Sequence, residues 1–144
     1  MKHIIIFLII VISFLGCRKR YETDIVGMWQ LVPFNQPDTN DVYIWEFGGA
    51  DILKRYAIPN PGTEADTLEN IYFISKDIRY VYVEIDTSDL HPFLPMHDEE
   101  GKYRIDYLKD GILKITRVSL PGGYTEAAYM RREFKQYIPP SAKK

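Results

Sequence analysis

Few side chains in this sequence are spaced to do chemistry, and one of them stands apart. Cys17 is the only cysteine among 144 residues. A lone thiol can form neither an internal disulfide nor a cysteine metal site, so its chemistry is that of an acceptor or nucleophile. A second group is His91 and His97, followed by Asp98, Glu99 and Glu100. Nitrogen and oxygen donors of this kind suit zinc. A gap of five residues in a proline-containing loop fixes no geometry, however, so these residues are read as solvated and no metal is assigned. Glu84 and Asp86 would share a strand face about 7 Å apart, and are read as solvent-facing because carboxylates are mostly exposed. No serine occupies a nucleophile-elbow context, and there is no phosphate loop. The sequence therefore predicts no catalytic residues, no cofactor and no enzyme.

The surroundings of Cys17 say what the thiol is for. Lys2 is followed by nine aliphatic or aromatic residues, 4–12, and then by Ser13-Phe14-Leu15-Gly16-Cys17. A positive start and a short apolar run make a signal peptide. Arg18-Lys19-Arg20 ends the run before the roughly 20 apolar residues that a membrane span needs. Leu15-Gly16-Cys17 resembles the lipobox of signal peptidase II substrates, with Phe14 where leucine is usual. The resemblance implies cleavage between Gly16 and Cys17 and diacylglycerol on the Cys17 thiol. Each buried CH₂ is worth about 0.8 kcal/mol, so two or more acyl chains anchor stably. Residues 1–16 are thus expected to be a lipoprotein signal peptide and 17–24 a lipidated cysteine with a polar tether. The membrane, reached through that lipid, is the expected partner. The expected location is the cell envelope of a Gram-negative bacterium, at the outer membrane.

The rest of the chain must fold on its apolar core alone. Hydrophobic residues are 46% and charged residues 26%, which excludes a disordered chain. The 18 Lys and Arg residues, less Lys2, stand against 20 Asp and Glu, a net charge of −3 for the mature chain. That balance is too weak and mixed for a nucleic-acid partner.

From Ile25 onward the hydrophobic period is two. Tyr103, Ile105 and Tyr107 alternate with Lys102, Arg104 and Asp106, and Leu113 and Ile115 with Lys114 and Thr116. Asp110-Gly111 between them predicts a tight hairpin turn. Tyr43, Trp45 and Phe47 form a one-face stripe before Gly48-Gly49. Further strands are expected at 26–32, 52–57, 71–74, 78–85 and 127–137, with a turn at 75–77. Residues 59–68 and 86–102 read as long loops, the second carrying Leu90, Phe93, Leu94 and Met96. Eight short strands joined by hairpins predict an all-β fold, a small antiparallel up-and-down barrel, with a sandwich as the alternative. Closure removes edge strands and favours the barrel. The domain is placed at 25–138, with a disordered tail at 139–144.

Gly27-Met28-Trp29 at the start of the first strand resembles the Gly-x-Trp signature of lipocalins. Trp45-Glu46-Phe47, Tyr103-Arg104-Ile105 and Leu113-Lys114-Ile115 are similar to later strands of small bacterial lipocalin-like lipoproteins. The resemblance covers most of 25–137. It implies a calycin-type eight-stranded barrel with Gly27 and Trp29 at a closed floor. It also implies an arginine of the last strand, Arg131 or Arg132, lying across the Trp29 ring. A guanidinium over an indole contributes about 0.5–2 kcal/mol.

Two functions follow. In the first, the barrel binds a small apolar or amphipathic molecule through Trp45, Phe47, Tyr103 and Ile105, with Phe93 and Met96 acting as a lid. In the second, side chains fill the barrel, and the loop from Phe93 to Met96 or an outer face grips an envelope protein. Trp45, Phe47, Tyr103, Ile105, Leu113 and Ile115 all pointing inward would leave room for a ligand only if it is small or sits at the mouth.

Overall fold

The computed structural model describes residues 19–33, 42–58, 67–87, 100–120 and 130–139. Gly16, Cys17, Phe93, Met96, His91 and His97 lie outside them. Eight strands follow one another: β1 (Gly27–Leu31), β2 (Val42–Phe47), β3 (Ile52–Ile58), β4 (Thr67–Lys76), β5 (Val81–Thr87), β6 (Gly101–Lys109), β7 (Ile112–Ser119) and β8 (Arg131–Gln136). Each pairs antiparallel with the next, and β8 returns to β1, closing the barrel. The up-and-down barrel expected from the period-two pattern is therefore the fold.

The alternation works as the sequence implies. Trp29, Trp45, Phe47, Leu53, Val83, Tyr103, Ile115 and Phe134 all fall in one buried interior cluster. Lys54–Glu69, Lys102–Glu84 and Lys114–Glu133 ion pairs run across the outer face. A barrel embedded in lipid turns an apolar band outward, whereas this one turns charge outward. Asp110 and Gly111 have φ of 54° and 71°, the paired positive values of a type I′ turn. They join β6 to β7, whose register runs from Lys102↔Ser119 to Lys109↔Ile112 with two irregularities.

Several boundaries differ from the sequence reading. Residues 78–80 belong to a turn and not to a strand, and Ile78 is 91% exposed. Asp77 makes that turn: its Oδ1 accepts the Arg79 and Tyr80 amides and its Oδ2 the Tyr82 hydroxyl. Thr67 and Leu68, expected in a loop, begin β4, and Asp86, Thr87, Gly101 and Lys102 are strand residues. Residues 19–24, expected as a polar tether, are helical. They deliver Ile25, fully buried, into the core, with Tyr21 packed against it. Burial of Ile25, with Tyr21 packed against the core, outweighs the weak helix pattern of this short polar stretch.

Candidate functional site

The barrel has two unlike ends. The turns joining β2 to β3, β4 to β5 and β6 to β7 lie at one end with the N-terminal helical stretch. This is the floor. The last residues of β1, β3, β5 and β7 and the first of β2, β4, β6 and β8 lie at the other end, the mouth.

The floor is sealed by aromatic packing. Trp29 is 3% exposed, and its Nε1 donates to the Ile25 carbonyl at 2.7 Å. Phe47 and Tyr72 meet edge to face at 5.0 Å, and the Tyr72 hydroxyl donates to the Gly48 carbonyl. Burial, with Asp51 and Glu22 nearby, pushes the Tyr72 phenol up to about 12. Gly27 opens β1 opposite Phe47. The floor thus holds Gly27 and Trp29. Trp29 faces Gln136 on β8. Arg132 is four residues further along, opposite Ile115, about 13 Å away at 3.3 Å per residue. Arg131 is exposed. Strand register places both toward the mouth. The Arg55 guanidinium stands over an indole, 5.9 Å from the Trp45 ring centroid.

The centre is filled. Trp45 packs on Phe134 at 5.0 Å, on Tyr103 at 6.1 Å and on Phe47 at 6.3 Å between centroids. Trp45, Phe47, Tyr103 and Ile105, expected to line a cavity, are buried core residues, as are Leu113 and Ile115.

The polar chemistry lies above this plug. β3 turns Leu53 inward, and Arg55, two residues on, keeps the same parity and is 5% exposed. Arg55 Nε and Nη2 donate to Asn70 Oδ1 on β4 at 3.0 and 2.6 Å. Asn70 Nδ2 donates to the Asp86 carbonyl at 3.2 Å and to Glu100 Oε1 at 3.4 Å. Glu100 is 1% exposed, and its Oε2 has no hydrogen-bond partner among the described residues. Arg117 on β7, opposite Tyr103, is a further buried cation in this half of the barrel. The amide of Asn70 is oriented by its neighbours: its oxygen takes the guanidinium protons, and its nitrogen serves the carboxylate. Buried charges persist only when hydrogen-bonded in this way.

Beside Arg55 a recess of about 240 Å³ opens. Among the described residues Leu31, Tyr43, Trp45, Ala57 and Leu68 wall it with apolar surface, and Arg55 supplies the charge. Its chemistry suits a molecule with an apolar body and an acceptor or anionic head, since a guanidinium donates in a fixed fork.

Sequence reasoning missed Arg55, Asn70 and Arg117, and it read Glu100 as solvated. The signal was present for three of them. Arg55 shares the inward parity of Leu53, Asn70 that of Tyr72 and Ile74, and Arg117 that of Leu113 and Ile115. A polar residue on the apolar side of a period-two strand marks a buried polar group. Comparison with protein-family models and with curated proteins finds no match for this chain.

Proposed function

We propose that this chain is an exported lipoprotein, acylated on Cys17 and held at the outer membrane of a Gram-negative cell envelope. Its lipocalin-like barrel takes a small amphipathic molecule at the mouth. The observation that carries the binding reading is the recess beside Arg55, where a buried cation stands among apolar walls above a solid core. The plug of Trp45, Phe134 and Tyr103 argues against a guest in the barrel centre. The apolar run and unique Cys17 carry the lipoprotein reading.

The test is a titration of residues 18–144 with fatty-acid and aromatic probes, followed by tryptophan fluorescence. A saturable change is expected because Trp45 lines the recess. It should diminish in Trp45→Phe and weaken in Arg55→Met. The filled interior favours a second reading, a protein-interaction module of the envelope. Absence of any saturable signal across the panel would leave that one standing.

A further inference from the structure

Among the described residues several large hydrophobic side chains remain exposed. Those that stand out are Val26, Tyr43, Ile52, Ile71, Phe73, Ile78, Tyr80, Tyr107 and Ile138. Of these, Tyr43 lines the mouth recess. Ile71 lies mid-barrel beside Asn70, and the others belong to the floor half. Val26 precedes β1, and Ile52 opens β3 opposite Ile71 of β4. Phe73 follows on the stretch of β4 that runs on beyond its pairing with β3. Ile78, 91% exposed, and Tyr80 occupy the β4–β5 turn. Tyr107 is near the end of β6, and Ile138 follows β8. Isolated exposed apolar residues are ordinary, but a set gathered at one end marks a contact surface.

The chain itself says what covers that end. The N-terminal helical stretch packs on the floor through Tyr21 and Ile25. Cys17 is two residues before Lys19 in the sequence. Two residues reach at most about 7 Å. An acyl anchor on Cys17 would therefore keep the floor, rather than the mouth, next to the lipid surface. Lys19 and Arg20 stand exposed beside it, but Arg20 pairs with Asp24 at 3.2 Å, and Glu22 and Asp51 lie at the same end, so the apolar side chains rather than charge carry the contact. Tyrosines such as Tyr80 and Tyr107 suit the headgroup level, with an apolar ring and a polar tip.

We propose that the barrel stands floor-down on the membrane that anchors it. Val26, Ile52, Phe73, Ile78, Tyr107 and Ile138 dip into the lipid interface, and the mouth with Arg55 faces away. The occupant of this apolar end is a bilayer surface. The proposal rests on the lipid anchor at Cys17, and adds an orientation that the anchor alone does not impose.

The test uses the full-length protein expressed in a lipoprotein-processing bacterium, with its acylation established by mass. It is reconstituted in vesicles of phosphatidylethanolamine and phosphatidylglycerol. The Cys17 thiol is consumed by the thioether, so one introduced cysteine takes an environment-sensitive fluorophore. Ile78→Cys and Ile138→Cys probe the floor, and Thr67→Cys, exposed at the mouth end of β4, is the reference. Blue-shifted emission and several-fold stronger quenching by lipid-borne nitroxide at positions 78 and 138 than at 67 are expected. Equal quenching at all three positions in an acylated protein would overturn the orientation and leave the anchor intact. A chain carrying no acyl group would overturn both.

Discussion

The floor and the mouth of this barrel solve the same problem with different chemistry. At the floor the interior ends in rings: Trp29 bonded to Ile25, Phe47 against Tyr72, and tight turns outside them. At the mouth it ends in charges: Arg55, Glu100 and Arg117, joined in part by the amide of Asn70. Packed aromatics convert burial directly into stability. A buried polar network does not. It is costly to assemble and costly to break, and fully apolar replacements of such groups are often no less stable. A fold has little reason to keep charge inside its mouth for stability alone, which makes that end the one suited to recognition.

The comparison breaks first at the floor. Trp29→Ala removes a buried indole and its bond to the Ile25 carbonyl. The expected cost is about 3–5 kcal/mol, as for other buried Phe or Trp truncations. Urea unfolding of residues 18–144 measures it, and a loss of a few tenths would remove Trp29 from the core. At the mouth, Asn70→Leu strips Arg55 and Glu100 of their shared partner. Hydrogen bonds to charged groups are worth about 1.5–3 kcal/mol each. We expect a loss in that range, together with loss of the fluorescence response to mouth ligands. Arg55→Met with Asn70→Leu should recover part of the stability but none of the binding. Recovery of both would make the network purely structural.

Gly101 sharpens the comparison from another side. It opens β6 at φ +130°, and a Cβ there would collide with the Ser119 carbonyl oxygen of β7. Gly101 follows Glu100 directly, so this close approach sets where the buried carboxylate enters the mouth. Backbone strain of this kind costs about 1–3 kcal/mol. Gly101→Ala should lower the unfolding midpoint accordingly and perturb the mouth before the floor. Amide exchange that rises uniformly around the barrel would contradict a local role.

The same contrast decides what was legible in the sequence. Alternation in Tyr103/Ile105, Leu113/Ile115 and Trp45/Phe47 is a local signal, and the barrel follows from it. The Asp110-Gly111 turn was readable because its backbone needs two positive φ angles that few residue pairs tolerate. Arg55, Asn70 and Glu100 were not read. They lie on β3, on β4 and just before β6, and only closure of the sheet brings them together. Polar residues facing inward also disguise their own strands. Thr67 and Leu68 read as the end of a loop because Asn70 breaks the apolar face of the strand they open, and residues 100–102 read as loop beside the acidic run 98–100. Residues 19–24 have too short a pattern to predict a helix, and only the core waiting for Ile25 fixes them.

The smallest expected effect concerns the turn that carries Ile78. Asp77 Oδ1 accepts the Arg79 and Tyr80 amides at 2.7 and 2.6 Å, and Oδ2 accepts the Tyr82 hydroxyl at 2.7 Å. The hydroxyl of Tyr82 and then these two amides hold the Asp77 carboxyl below its ordinary value of 3.8. A depressed carboxyl contributes its stability above the unfolded pKa and loses it as pH falls through the folded one. Native protein should therefore keep the turn fixed at neutral pH, and loosen it only below about pH 3.8. Asp77→Ala should show faster amide exchange at Arg79 and Tyr80 at pH 7, with little change elsewhere in the barrel. The difference from the native protein should shrink as the solution is acidified past the carboxylate range. Because Asp77 is exposed, solvent screens its charge, so the effect on the global unfolding midpoint should be slight. A difference that persisted undiminished once the Asp77 carboxyl is protonated would mean that the carboxylate charge does not hold the turn. If Ile78 enters the lipid interface, the same substitution should also lower the quenching of a fluorophore at position 78, because a loosened turn no longer holds it at one depth.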